Sequence, residues 1–295
     1  MGSQMCAAIL AQMAITFSPR THHGLTEGAI NLAENRRKLS HFAAKYLRRW
    51  LPQAVNLCDD VDVVTGPNIP SSVYSHVPVL GPLISGPAKH GQKHHFMLRE
   101  EGFAQADSLK ECTDWIKDKS RDATQRMMGW FWEPQSGPRR TRDLFTTSHD
   151  DDFRDVHDLT GEPLAWALHA VQDSFSPAHV HRNEQEEITR IFAWDKENGD
   201  PGPEAGKSGA KEWDEVTNRP GPGWKGHKAY DDAWLEGLHT VDYSSPHVRT
   251  AVNACADLLS FTFAAATSSR GDTQRLFDAG MTVFLGKYFR ANFRD

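Results

Sequence analysis

The chain has 295 residues, of which 39% are hydrophobic and 24% charged, and its formal net charge is −6 at pH 7. This composition argues against intrinsic disorder, the length is sufficient to bury a large core, and the acidic balance disfavours nucleic acid as the main partner. The four cysteines are widely spaced and form neither a paired zinc motif nor a dense disulfide framework. We therefore expect them to be buried free thiols.

The N-terminal region precedes the first predicted helix and gives little support for a signal peptide. Residues 5–17 are apolar, but no Lys or Arg precedes them, as a standard secretory signal would require. We expect residues 1–16 to be mobile or processed within a single domain that spans residues 1–295. No stretch of the sequence is long and apolar enough to cross a membrane.

Apolar residues recur at helical spacing along most of the chain and predict an all-α protein. The stretches are residues 26–51, 100–128, 161–175, 246–265 and 273–293. Pro52 is expected to end the first of them. Residues 61–64 are the one strand candidate that we name, and two Gly/Pro-rich segments, 66–91 and 198–226, predict long loops. The predicted fold is one multi-helix domain with long Gly/Pro-rich loops.

A His-Asp-His run in the third predicted helix carries the strongest chemical signal. His169 and Asp173 are four residues apart, so in a helix they project from one face about one turn apart. Pro177 should break or bend this helix and bring His179 round from beyond it. Imidazole and carboxylate are the usual zinc ligands, and one carboxylate can bridge two metals. The run predicts a multi-metal hydrolase; for a lone pair, a core His–Asp hydrogen bond is the alternative.

A second pair, His227 and Asp231, repeats the spacing of four behind the longer Gly/Pro-rich segment. It is a candidate ligand pair on another helix. The alternative is a surface helix whose first turn carries carboxylates, since negative charge is favoured there.

The run from His169 to His179 resembles the zinc-dependent phospholipase C and single-strand nuclease superfamily. Its members are all-helical and carry up to three zinc ions. The resemblance implies that His169 and Asp173 serve one zinc, that Asp173 bridges to another, and that His179 serves a third position. His227 and Asp231 resemble the last ligand pair of the same superfamily.

Three further stretches resemble motifs of this superfamily. Thr21-His22-His23, followed by Ala29-Ile30, resembles its first motif, with His22 at the ligand position. Residues 56–61 resemble the stretch that supplies an active-site Asp. Asp59 is the best match there, as a zinc ligand or as the general base, and Asp60 and Asp62 are alternatives.

The third stretch, Lys93-His94-His95-Phe96, resembles a metal-binding His-Phe pair, with His95 at the ligand position and His94 as the alternative. The implied ligands are His22, Asp59, His95, His169, Asp173, His179, His227 and Asp231. In the superfamily an N-terminal Trp commonly holds the third zinc, but the first Trp here is Trp50. A processed chain could instead place an amino group near His22, so two or three zinc ions are expected.

The resemblance implies a zinc metallohydrolase of phosphodiesters. The acidic charge and the run from Met127 to Trp132, which could dip into a bilayer interface, favour a phospholipase C that acts on a glycerophospholipid at a membrane surface. Such an enzyme releases diacylglycerol and a phosphorylated alcohol. The alternative for this run is a core-capping role.

Two other functions stay open at this point. Arg139, Arg140 and Arg142 could serve a single-strand nuclease or nucleotidase, which also needs basic residues for the phosphate backbone. The second is a toxin or interaction protein with a degraded site. We expect a soluble protein that is secreted or exported as an effector.

Overall fold

The computed structural model describes residues 19–58, 92–98, 103–132, 163–177, 179–192, 233–235, 238 and 240–293. This part of the chain is 70% helical, which confirms the predicted all-α class. Its helices are α1 (Pro19–Asn35), α2 (His41–Leu57), α3 (Gln105–Trp132), α4 (Pro163–Asp173), α5 (Pro246–Thr267) and α6 (Thr273–Tyr288), with a 3₁₀ helix at Gln92–His95. The strand candidate at 61–64 and the predicted loops 66–91 and 198–226 lie outside the described residues, as do residues 1–16.

The first predicted helix is in fact two helices, so the prediction of one helix ending at Pro52 was wrong. The chain turns between α1 and α2, where Arg37 has a φ of 57°. Ser40 then caps α2, because its side-chain oxygen accepts a hydrogen bond from the backbone N–H of Ala43 at 3.2 Å. Pro52 lies inside α2. Since α1 already begins at Pro19, His22 lies within its first turn rather than before it.

Helix α4 runs through the middle of the helical packing. It contacts α1, α2, α3, α5 and the 3₁₀ helix, and all eleven of its residues are buried. Most of them are apolar and belong to a core shared with residues such as Leu258 and Phe277. His169, Gln172 and Asp173 are the exceptions. Because buried polar groups need partners inside the protein, these three side chains must be satisfied by one another or by neighbouring helices.

Four short strands complete the described structure, and none of them was predicted. β1 (Val180–Arg182) pairs antiparallel with β2 (Ile188–Ile191), and β3 (Trp234–Leu235) pairs with β4 (Thr240–Val241). Strands of two to four residues are too short for the alternation that identifies a strand in sequence.

The hairpin of β1 and β2 fixes the chain that follows α4. The backbone N–H of Phe192 donates to the carbonyl of His179 at 2.9 Å, and that of Leu98 donates to the carbonyl of Phe192 at 2.9 Å. These bonds hold the residue before β1 and the segment after the 3₁₀ helix to the same hairpin. His179 and His95 are thereby brought close to the end of α4.

Three of the cysteines, Cys58, Cys112 and Cys255, fall in the described part of the chain, where they are buried thiols outside disulfide bonds, as predicted. None of the helices described has both the length and the apolar character that crossing a bilayer requires.

Candidate metal centre

The carboxylate of Asp173 lies at the centre of a cluster of imidazoles from four segments. His22 comes from α1, His95 from the 3₁₀ helix, His169 from α4 and His179 from the turn before β1. The side chains of Asp173, His22, His169 and His179 are 0% exposed, whereas that of His95 is 18% exposed. His95 is therefore the member of this cluster whose side chain has exposed surface.

One carboxylate oxygen, Oδ2 of Asp173, forms a nearly equilateral triangle with two ring nitrogens. It lies 3.2 Å from Nδ1 of His95 and 3.1 Å from Nε2 of His169, and these nitrogens are 3.1 Å apart. Ligand atoms about 2.0 Å from a tetrahedral zinc are separated by about 3.3 Å, so the triangle is close to one face of such a site. A proton can satisfy only one of these pairs, whereas a cation would contact all three atoms.

The other carboxylate oxygen, Oδ1, faces His22. It lies 3.4 Å from Nε2 of His22, and it is buried with no hydrogen-bond partner in the described part of the chain. Burial of an anionic oxygen without a hydrogen bond is costly, and a bound cation would remove that cost. The ligand atoms of His22, His169 and Asp173 all lie within 4.8 Å of one another, so this trio could hold a metal ion.

His179 is held by the backbone of its neighbour in the cluster. Its Nδ1 donates to the carbonyl oxygen of His95 at 2.5 Å and lies 4.0 Å from Oδ2 of Asp173. Because a carbonyl can only accept, Nδ1 of His179 carries a proton, and in a neutral ring Nε2 is left as the ligating nitrogen.

The charge state of the cluster suits a cation. Burial alone would raise the pKa of the Asp173 carboxyl, but the charges of His169 and His179 and the hydrogen bonds from His169 and His95 hold it well below its usual value. Burial lowers the pKa of His95, against the opposing effect of its hydrogen bond to Asp173. Asp173 and His95 are thus favoured in the ionised and neutral forms that bind a metal, while binding at His169 and His179 would require those rings to be neutral.

The structure separates the two members of each histidine doublet. His95 faces Asp173, whereas the ring of His94 stacks on Trp115 with 4.0 Å between centroids. Burial, followed by the charges of His95 and Lys93, lowers the pKa of His94 to about 3. In the other doublet His22 is buried in the cluster, while its neighbour His23 is 42% exposed and lies 3.4 Å from Glu27.

Two buried residues that the sequence reasoning missed contact His22. Oε1 of Gln172 accepts from Nδ1 of His22 at 2.5 Å, and Nε2 of Gln172 donates to Oγ1 of Thr26 at 2.8 Å. Gln172 also hydrogen-bonds the thiol of Cys255, whose pKa is raised to about 12 by burial. Two signals in the sequence could have identified them. Gln172 is a polar residue in a largely apolar helix, and Thr26 follows the candidate ligand His22 by four residues.

Arg182 is a third missed residue, and it supports the end of α4. Its guanidinium donates to the backbone carbonyls of Ser174 at 3.2 Å, Glu186 at 2.9 Å and Tyr288 at 2.9 Å, and it stacks on Phe175. Burial lowers its pKa to about 10. A cation at the carboxyl end of a helix is favourable, so Arg182 stabilises the turn directly after Asp173. Nothing in the sequence distinguishes this Arg from those on the surface.

The structure describes some of the predicted site residues and not others. Five of the eight predicted ligands are brought together, and Asp59, His227 and Asp231 lie outside the described residues. The same holds for Asp60, Asp62, Arg139, Arg140 and Arg142, and for the side chains of residues 129–132.

Of the proposed lipid-contacting run, Met127 is buried in the core and Met128 contacts Thr273, which favours the core-capping alternative for these two residues.

The fold and the cluster together define an all-α protein with a buried His/Asp group that could hold a metal ion. Comparison of the chain with protein-family models, with curated proteins and with solved structures finds no match. The resemblance to the phospholipase C and nuclease superfamily therefore depends on the quoted motifs alone.

Proposed function

We propose that the protein is a zinc-dependent phosphodiester hydrolase and that its substrate is a phospholipid, as for a phospholipase C. The observation that carries the proposal is the position of Asp173. Its two oxygens face different imidazoles, Oδ1 towards His22 and Oδ2 towards His95 and His169. A carboxylate placed in this way is suited to bridge two cations.

The donor set favours zinc among the divalent metals. It consists of imidazole nitrogens and one carboxylate, whereas magnesium and calcium prefer sites made of oxygen alone. Oδ1 of Asp173, buried without a hydrogen bond from the described residues, is the atom that a cation would satisfy. His22, His95, His169 and Asp173 would hold the metal, with His179 contributing from the edge of the cluster.

The side chains suit hydrolysis without a protein nucleophile. Burial raises the pKa of the Cys112 and Cys255 thiols, so both stay protonated and unreactive at neutral pH. Zinc bound at the cluster would neutralise phosphodiester charge and lower the pKa of water towards neutrality. Substrate would approach past His95, the one member of the cluster with an exposed fraction. We keep Asp59 as the proposed general base.

The substrate class is supported by the sequence rather than by the cluster. The net charge of −6 would oppose a nucleic-acid backbone, while a lipid headgroup carries one phosphodiester. We propose that Trp130 and Trp132 contact the lipid surface, and that the protein is exported to reach it.

The test is an assay of the purified full chain before and after removal of metal with a chelator. We expect zinc in the protein as isolated and zinc-dependent cleavage of phosphatidylcholine vesicles, with lower activity on single-stranded DNA. Full activity after metal removal would overturn the metallohydrolase. Cleavage of single-stranded DNA without cleavage of lipid would overturn the substrate class and leave the metal centre standing.

The lipid surface has its own test. Replacement of Trp130 and Trp132 together by Ala should weaken vesicle binding and leave cleavage of bis(p-nitrophenyl) phosphate, a small soluble phosphodiester, nearly unchanged. If both residues are core instead, each substitution would cost about 3–5 kcal/mol and a thermal melt would show the loss.

A further inference from the structure

Hydrogen bonds join three buried residues, His22, Thr26 and Gln172, in a closed ring. Oγ1 of Thr26 donates to the backbone carbonyl of His22 at 2.8 Å. Nε2 of Gln172 donates to Oγ1 of Thr26 at 2.8 Å, and Nδ1 of His22 meets Oε1 of Gln172 at 2.5 Å. All three side chains are 0% exposed, so water does not compete for these bonds.

The direction of each bond follows from the first one. A backbone carbonyl can only accept, so the hydroxyl proton of Thr26 points to the carbonyl of His22. The oxygen of Thr26 is then left to accept from the amide nitrogen of Gln172. This places the amide oxygen of Gln172, which can only accept, against Nδ1 of His22. The proton of the His22 ring must therefore be on Nδ1.

The consequence concerns the other ring nitrogen. With the proton held on Nδ1, a neutral His22 ring presents the lone pair of Nε2, the atom 3.4 Å from Oδ1 of Asp173. A lone pair and a carboxylate oxygen repel each other unless a proton or a metal cation lies between them. The helix backbone thus determines, through Thr26 and Gln172, which nitrogen of His22 is available to a metal.

We propose that Gln172 and Thr26 are positioning residues that fix the tautomer and ring orientation of His22 for metal binding. The inference rests on the proposed metal centre and extends it to residues outside the ligand set. Groups that hold a metal-ligating His in place commonly contribute about 10–100-fold to metal affinity. Gln172 is next to Asp173 on α4, so one helix supplies both a bridging carboxylate and the residue that orients the opposing imidazole.

Three variants separate this role from a general contribution to packing. Gln172→Met keeps the size of the side chain and removes the acceptor, whereas Gln172→Glu keeps an oxygen acceptor against Nδ1. Thr26→Val removes the hydroxyl that orients the amide. Its matched control is Thr124→Val, because Thr124 is also buried and its hydroxyl also donates to the carbonyl four residues earlier at 2.8 Å.

The first readout is nitrogen NMR of the full chain, labelled with ¹⁵N-histidine, freed of metal and held at pH 8.5. We assign the His22 signals by their loss in His22→Asn. We expect a proton on Nδ1 in the wild type, Gln172→Glu and Thr124→Val, and loss of that proton from Nδ1 in Gln172→Met and Thr26→Val. An unprotonated Nδ1 in the wild type, or the same protonation in Gln172→Met, would overturn the inference.

The second readout is zinc affinity, measured by competition with a chromophoric chelator. Gln172→Met should bind its weakest zinc about 10–100-fold less tightly than the wild type, and Gln172→Glu should recover the affinity. If wild-type protein binds no zinc while the NMR result holds, the proposed function fails and the tautomer assignment survives. If Gln172→Met binds zinc and cleaves phosphodiester like the wild type, the inference fails and the proposed function survives.

Discussion

Two carboxylates in the protein each contact side chains from several elements, but with partners of different chemistry. Asp257 on α5 lies 3.1 Å from a guanidinium nitrogen of Arg36, 2.8 Å from the ammonium of Lys287 and 2.7 Å from the hydroxyl of Tyr288. Its side chain is 32% exposed. Asp173 is 0% exposed and lies among four imidazoles.

The difference lies in what neutralises each charge. Guanidinium and ammonium groups carry positive charge at physiological pH, so Asp257 is compensated by the folded protein alone, and it connects the turn after α1 with α5 and α6. Imidazoles are largely neutral at pH 7, and burial opposes their protonation further. The fold alone can therefore balance the charge of Asp173 only through protonated imidazoles in the core, whereas a metal ion would balance it with the rings neutral. The Asp257 cluster is stabilising, whereas the Asp173 cluster is a candidate for function.

The largest contrast is expected between the two Asp→Asn variants. Asp173→Asn removes the bridging charge and should lower both zinc content and phosphodiesterase activity by more than about 100-fold, since even outer residues of a metal site contribute about 10–100-fold. Asp257→Asn should keep its zinc and activity and lose about 1 kcal/mol of stability. Metal analysis and urea denaturation measure the two effects. Similar zinc contents in the two variants would contradict the distinction.

The His95/His94 doublet tests the comparison within the site. His95→Ala removes a nitrogen that lies 3.2 Å from Asp173 and should lower activity by at least about 10-fold, with loss of zinc. His94→Ala removes a stacked partner of Trp115, so it should cost about 1 kcal/mol of stability and keep the metal. The reverse ranking in zinc content would move the ligand to His94.

A smaller effect is expected at the first doublet, because His22 faces one carboxylate oxygen only. His22→Ala should lower the zinc content by one equivalent and leave the ion near Oδ2 of Asp173 in place. His23→Ala should bind as much zinc as the wild type, since His23 is exposed and lies beside Glu27. Equal zinc content in both variants would show that Oδ1 of Asp173 faces no metal.

The smallest effect concerns the Asp257 cluster at high pH. Burial, together with the hydrogen bond to Asp257, raises the pKa of Tyr288. The unfolded chain then loses the Tyr288 proton above about pH 10 while the folded protein keeps it, so this contribution to stability is lost as the pH rises. Between pH 9 and pH 11, about one unit below and above the ordinary tyrosine pKa, the melting temperature of Tyr288→Phe should fall by less than that of the wild type. An equal fall in melting temperature for the variant and the wild type would show that the Tyr288 hydroxyl does not contribute to stability.

The sequence predicted the helical class and five members of the cluster, because helical spacing places His169 and Asp173 on one face without any tertiary information. The bend expected at Pro177 added His179. The other two members, His22 and His95, came from resemblance, since their proximity depends on how α1 and the 3₁₀ helix pack against α4. Those contacts join residues about 80 to 150 positions apart. No local sequence pattern predicts contacts between residues so far apart in the chain.

Two features of the structure were not predicted, and each has a physical reason. The break between α1 and α2 depends on a left-handed residue, Arg37, and on a cap by Ser40, which the apolar spacing over residues 26–51 does not reveal. The proposed roles of Gln172 and Thr26 depend on hydrogen bonds between α1 and α4, which form only when the two helices pack. The single-domain organisation, the ligands Asp59, His227 and Asp231, and the phospholipid substrate stay predictions.

The most direct test of the central claim is anomalous diffraction at the zinc edge from crystals of the zinc-loaded full chain. The account predicts a peak about 2.0–2.2 Å from Oδ2 of Asp173 and Nε2 of His169, and a second peak between Oδ1 of Asp173 and His22. Crystals of Asp173→Asn should lack both peaks. Zinc bound elsewhere in the protein, with no anomalous density beside Asp173, would contradict the assignment of this cluster as a metal centre.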